Sequence, residues 1–205
     1  MSSSATIPQD FLNHVKFGEL ENAQKIFTRR NVNPNGVDES DMSALHHASQ
    51  QGKTEVVQWL LTLENILPDK VDKHGWTPLF RACQDGHADV VKLLLQQEAV
   101  NVNHRGLNQQ TPVWVCASHG YLEVLRVIKE FHDTKPVNLA LSVKDEHNSR
   151  NELAAIDISI RNGHTEVAEF LRAWEASFPK PPPPPSSNGL LPFLFLFLFF
   201  FFCLA

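Results

Sequence analysis

Gly52-Lys-Thr-Glu-Val-Val57, Gly86-His-Ala-Asp-Val-Val91 and Gly120-Tyr-Leu-Glu-Val-Leu125 decide the fold, because the same phrase returns at one constant step along the chain. Looser copies stand at Gly18-Glu-Leu-Glu-Asn-Ala23, one such step earlier, and at Gly163-His-Thr-Glu-Val-Ala168, after a somewhat longer one. A fixed period in the range of roughly 20–50 residues marks stacked units, each too small to bury its own apolar face without a neighbour. The sequence therefore predicts an all-α solenoid of helical pairs, an architecture that presents a surface more readily than it encloses a reaction.

Working outward from the glycines, each of three units begins nine residues upstream. These starts read Ser43-Ala-Leu-His-His-Ala-Ser49, Thr77-Pro-Leu-Phe-Arg-Ala-Cys83 and Thr111-Pro-Val-Trp-Val-Cys-Ala117. Threonine followed by proline opens a helix well: the hydroxyl caps free N–H groups, and proline at the first position loses no hydrogen bond. Ala48, Ala82 and Cys116 are small enough for close approach between units, and the glycine ends the helix in a left-handed conformation. After the glycine, Val56, Val57, Trp59, Leu60 and Leu61, or Val90, Val91, Leu93, Leu94 and Leu95, fall at helical spacing. The acids Glu21, Glu55, Asp89, Glu123 and Glu166 stand near the positive end of each second helix.

These residues resemble the ankyrin repeat family. The second unit, Asp72-Lys-His-Gly-Trp-Thr-Pro-Leu-Phe-Arg-Ala-Cys-Gln-Asp-Gly-His87, is close to the family's Asp-x-x-Gly-x-Thr-Pro-Leu-His-x-Ala-Ala-x-x-Gly-His, and Val100-Asn-Val-Asn103 is similar to its exit. The resemblance implies helix-turn-helix units joined by β-hairpin fingers over residues 9–178: a half unit at 9–37 and full units at 38–71, 72–105, 106–148 and 149–178. The family's histidine survives as His46 and is replaced by Phe80, Trp114 and Asp157, so its local hydrogen bonds are expected to be lost there. The fourth unit opens with Ala154-Ala-Ile-Asp157, as end units do when one side faces solvent. The nine extra residues before Gly163, placed within Phe131 to Asn151, read as a lengthened finger, serving either specificity or nothing beyond a tolerated loop.

The resemblance also implies where a protein or peptide partner would sit, on a concave face made by two residues after the repeat aspartate, one before threonine and two before glycine. The rows are Glu39, Ser40, Met42, Gln50 and Gln51; then Lys73, His74, Trp76, Gln84 and Asp85; then Leu107, Asn108, Gln110, Ser118 and His119. The irregular fourth row is Arg150, Asn151, Leu153, Arg161 and Asn162. Large anchors dominate such interfaces, which singles out Trp76 with Met42, Gln110 and Leu153 along its stripe. The alternative is that Trp76 packs onto the neighbouring finger. Trp59, Trp114 and Trp174 read as core or end cap.

Other functions find little support. The body carries a net charge of -5 with acids and bases interspersed, unlike a phosphate-binding surface. Ten histidines and three cysteines raise the question of zinc, but no Cys-x-x-Cys or paired helical histidines occur; Cys83 and Cys116 read as buried between units. No nucleophile elbow, phosphate loop or catalytic carboxylate pair is present, so the expectation is a binding module without catalysis or cofactor.

Residues 1–8 read as a disordered leader lacking a secretory signal, and the odd cysteine count suits a reducing compartment, cytoplasmic or nuclear. Beyond Trp174, residues 179–189 form a proline-rich linker and residues 190–205 an almost unbroken Leu/Phe run. Phe178-Pro-Lys-Pro-Pro182 resembles the peptides bound by EVH1 domains, so the stretch from Phe178 to Pro185 is a candidate ligand for a proline-reading domain. The apolar tail admits two readings. As a helix its length would be roughly 24 Å, short of a hydrocarbon core of about 30 Å, yet its composition favours insertion as a tail anchor that tethers a cytosolic client to a membrane. Alternatively, its Pro, Ser, Leu and Phe codons are those of a translated pyrimidine tract.

Overall fold

The structure, a computed structural model, describes residues 6–135 and 154–178. Ten helices run through these residues: α1 (Gln9–Phe17), α2 (Leu20–Arg30), α3 (Ala44–Gln50), α4 (Thr54–Leu61), α5 (Pro78–Gln84), α6 (Ala88–Leu95), α7 (Pro112–His119), α8 (Leu122–Thr134), α9 (Ala155–Arg161) and α10 (Thr165–Ser177). Among the described residues there is no strand ladder, only isolated bridges joining Val37 to Thr6 and to Ser43. The fingers are therefore hydrogen-bonded turns. The chain divides into Met1–Glu175, which holds the stack, and Ala176–Ala205, of which residues 176–178 are described.

The first helices pack in series, α1 on α3, α3 on α5, α5 on α7 and α7 on α9, while α4, α6 and α8 form the second row. Small residues make the first row close: Ala48, Ala82, Cys83, Cys116 and Ala117 are fully buried. The starts follow the sequence logic. Thr77 Oγ1 accepts the Phe80 N–H at 3.2 Å, Thr111 Oγ1 accepts that of Trp114 at 3.2 Å, and proline occupies the first turn of both helices. Losing histidine at 80 and 114 thus leaves the hydroxyl cap intact. What goes missing is shown by the first unit, where His46 Nδ1 accepts the Ser43 N–H at 3.1 Å and His46 Nε2 donates to the Trp76 carbonyl at 3.0 Å. In the fourth unit, Ala154 provides no side-chain cap.

The second helices α2, α4, α6 and α8 have no side-chain cap, and the first-turn acids Glu21, Glu55, Asp89 and Glu123 offset their free N–H groups through the dipole alone. The preceding glycines are demanded by space as well as conformation. At Gly52 (φ 63°) an added Cβ would stand 2.5 Å from His87 Nδ1, and His87 Nε2 donates to the Gln50 carbonyl at 2.9 Å. At Gly120 (φ 78°) His164 plays the same part, 2.6 Å from the Cβ position and 3.2 Å from the Ser118 carbonyl. The residue after one glycine is thus seated on the glycine before it.

Two expectations are corrected here. Residues 6–8 belong to the fold: the Ile7 N–H donates to the Val37 carbonyl at 3.1 Å and the Ile7 side chain is buried, because the first finger needs an apolar neighbour. The extra residues before Gly163 do not all enter a finger. The helix α8 has 13 residues where α4 and α6 have 8, and its added turn places His132 edge-on to Trp174, ring centroids 5.9 Å apart. Trp174, 1% exposed, closes α10 against this extension. At the other end Trp59 meets Phe27 and Phe11 at 5.4 and 6.4 Å, so the half unit is held by aromatic packing. The linker 179–189 and the tail 190–205 lie outside the described residues.

Candidate partner-binding face

The first two fingers each begin with an aspartate that organises the turn behind it. Asp38 Oδ1 accepts the Ser40 N–H at 2.8 Å and the Met42 N–H at 3.0 Å; Asp72 Oδ1 accepts those of His74 and Trp76 at 2.8 and 3.0 Å. The tip passes through the left-handed region at Asp41, Gly75 and Gln109, with φ of 58°, 70° and 59°. Successive fingers are also tied to one another, the Lys73 N–H donating to the Ser40 carbonyl at 3.1 Å and the Leu107 N–H to the His74 carbonyl at 3.0 Å. The ammonium of Lys73 reaches the Glu39 carbonyl. Exposed side chains at Glu39, Ser40, Lys73, His74, Leu107 and Asn108 therefore stand on a backbone fixed from unit to unit.

The aspartates have partners nine residues on, at the fourth position of the first helix. His47 Nε2 lies 2.7 Å from Asp38 Oδ2, and Arg81 Nε donates to Asp72 Oδ2 at 3.1 Å with Nη2 on the same oxygen. Burial would raise both carboxyls, but the His47 contact and the Ser40 and Met42 N–H groups hold Asp38 below the ordinary range. Against the same burial, the Trp76 N–H and the Arg81 guanidinium hold Asp72 down. In the third unit the equivalent residues are Gly106 and Val115, so the carboxylate and its cationic partner are absent together. The space is taken by Trp76: a Cβ on Gly106 would lie 2.3 Å from Trp76 Cδ1.

Trp76 is consequently half-buried. His74 and Phe80 stack on it with centroids 4.8 and 5.0 Å away, the Arg81 guanidinium carbon stands 4.5 Å from its centroid, and Nε1 has no hydrogen-bond partner. It is built into the joint between fingers two and three, which is the packing alternative raised from the sequence. Met42, expected on the exposed stripe, is only 7% exposed; it lies beneath Arg81, whose Nη2 is 3.8 Å from Met42 Sδ. The position before the helix cap points inward once the preceding residue takes the left-handed turn.

In the row before the glycines, Gln51, Asp85 and His119 are exposed and Gln50, Gln84 and Ser118 are half-buried, as is Gln110 in the third finger. Gln84 Oε1 accepts from Arg81 at 3.4 Å, and Asn162 Nδ2 donates to the Ser118 carbonyl at 2.7 Å. Arg161 and Asn162 are exposed, whereas Arg150, Asn151 and Leu153 lie outside the described residues. One residue was overlooked in the sequence: Phe17, 72% exposed, precedes Gly18 in the register of Gln51, Asp85 and His119. Extending the row into the half unit would have found it.

A separate groove of about 250 Å³ runs between α6 and α8, lined by Leu95, Val127 and Phe131 with Lys92 and Glu130 at its edges. Among the described residues no three His, Cys, Asp or Glu side chains converge as metal ligands, and no helix is long and apolar enough to cross a membrane. Of the proline-rich candidate ligand only Phe178 falls within the described residues.

Comparison with curated proteins finds no match. A family model described as ankyrin repeats, three copies, matches residues 11–106, from the first buried residue of α1 to the glycine under Trp76. Ankyrin repeats generally mediate protein–protein interaction and are typically not enzymes. Residues 11–106 therefore carry ankyrin repeats.

Proposed function

We propose that this chain is a non-enzymatic interaction module that holds a protein or peptide partner on the face formed by its finger tips and the residues before its repeat glycines. The observation that carries the reading is the tie between fingers, Lys73 to Ser40 and Leu107 to His74, which fixes the backbone under the exposed side chains before any partner arrives. A surface ordered in advance loses little entropy on binding. Leu107, 73% exposed, supplies an apolar contact among the polar groups Lys73, His74, Asn108 and Asp85.

The test is a Lys73→Glu, Leu107→Asp double variant, chosen because both side chains are exposed and neither carries the fold. Partners would be captured from the organism's own cells with the parent and the variant, after matched melting curves show both folded. Loss of a defined partner from the variant supports the reading. An identical set of captured proteins assigns binding to another surface.

A further inference from the structure

Cys83 and Cys116 are separated by one residue less than the repeat step, and this offset decides their relation. Cysteines a full step apart would occupy equivalent sites facing the same way along the stack. One residue short, Cys83 takes the site of Ala117 and Cys116 that of Ala82, so they face each other across the seam between α5 and α7. Cys116 Sγ lies 3.8 Å from the Cys83 carbonyl, which brings the second cysteine up to the first across the seam. Both residues are fully buried.

From this juxtaposition we infer that Cys83 and Cys116 are an oxidisable pair, convertible by a small disulfide oxidant into an intramolecular disulfide that locks the second unit to the third. Burial, with the neighbouring thiol adding to it, pushes the Cys116 thiol well up, so in the closed seam Cys116 is a thiol and not a thiolate. Reaction therefore begins when the seam opens. One cysteine loses its proton to water, and its thiolate attacks the oxidant's S–S bond, giving a mixed disulfide and releasing one small thiolate, which takes up a proton. The adduct is too large for a seam in which both cysteines are fully buried. Reclosure instead brings up the second cysteine, which loses its proton, attacks the protein-side sulfur and expels the second small thiolate. The protein loses two hydrogens and two electrons, and the oxidant becomes two thiols.

The experiment uses the full chain carrying Cys203→Ser, so that only this pair remains, incubated with excess oxidised glutathione and digested without reduction. A Cys83–Cys116 peptide pair two hydrogens lighter than its parts is expected, with a raised melting temperature that dithiothreitol reverses. Adding Cys83→Ser should leave a glutathione adduct on Cys116, showing that the seam opens. Glutathione adducts without the link, a link that does not raise the melting temperature, or no modification at urea concentrations just below unfolding would overturn the inference.

Discussion

The indole of Trp76 rests on the α-carbon of Gly106, so closely that a single methyl group there would come within 2.3 Å of it. This contact joins the second finger to the third where the third unit lacks both the turn-organising aspartate and the partner of that aspartate. Gly106→Ala should destabilise the fold by about 1–3 kcal/mol, the usual penalty for overpacking. Trp76→Ala should cost about 2 kcal/mol, less than a fully buried tryptophan. In the double variant the clash disappears, so urea denaturation should show a loss smaller than the sum. Additive losses would mean that the two residues do not share this space.

The pairs Asp38–His47, Asp72–Arg81 and Gly106–Val115 solve one local problem in two ways. Arg81→Ala leaves the Asp72 carboxylate, whose side chain is 0% exposed, without its cation and should cost about 3–5 kcal/mol. Copying the third unit with Asp72→Gly and Arg81→Val together should cost less than Arg81→Ala alone, because no unpaired charge stays behind. Chemical denaturation of the single and double variants measures the difference.

Stability should fall with acid well before the carboxylates titrate. Burial holds His46 down to about 4, against an ordinary value near 6.5. A depressed folded-state value means that the unfolded chain binds the proton first, so stability is full above about 6.5 and is lost as pH drops toward 4. The difference is on the order of 3 kcal/mol. His47, lowered mainly by burial, acts in the same direction, as do Asp38 and Asp72 at lower pH. His46→Phe, which copies Phe80 of the second unit, should flatten the slope between pH 6.5 and 4 in urea titrations. An unchanged slope would place its origin elsewhere.

Asn35 and Asp69 occupy equivalent positions in successive loops, one repeat step apart. Asn35 clamps the next loop with both ends of its amide, Oδ1 accepting the Leu67 N–H at 2.8 Å and Nδ2 donating to the Asn65 carbonyl at 2.7 Å. Asp69 accepts the Asn101 N–H but cannot donate; its Oδ1 is buried without a partner, and burial raises its pKa. Asp69→Asn should restore the donor and stabilise the chain by about 1 kcal/mol. The gain should be larger at neutral pH than at pH 4, where the protonated acid can itself donate. Melting curves at both values check this.

The constant repeat step, the Thr-Pro starts, the small residues at 48, 82 and 116 and the first-turn acids determined the helical pairs and their stacking, because each acts through local backbone geometry or a fixed register. Cys83 and Cys116 could likewise be placed in a seam from their positions alone. The sequence could not decide which side chains remain outside. Met42 turns inward because Asp41 is left-handed and Arg81 spans above it; Trp76 is consumed by a joint that exists only because Gly106 lacks a side chain; Phe17 stays exposed in a half unit. Nor could counting extra residues before Gly163 reveal that part of them lengthens α8 to bring His132 against Trp174. Register is a property of one chain segment and can be read along it, whereas exposure depends on what a neighbouring unit brings into the same volume, and only the tertiary structure fixes that.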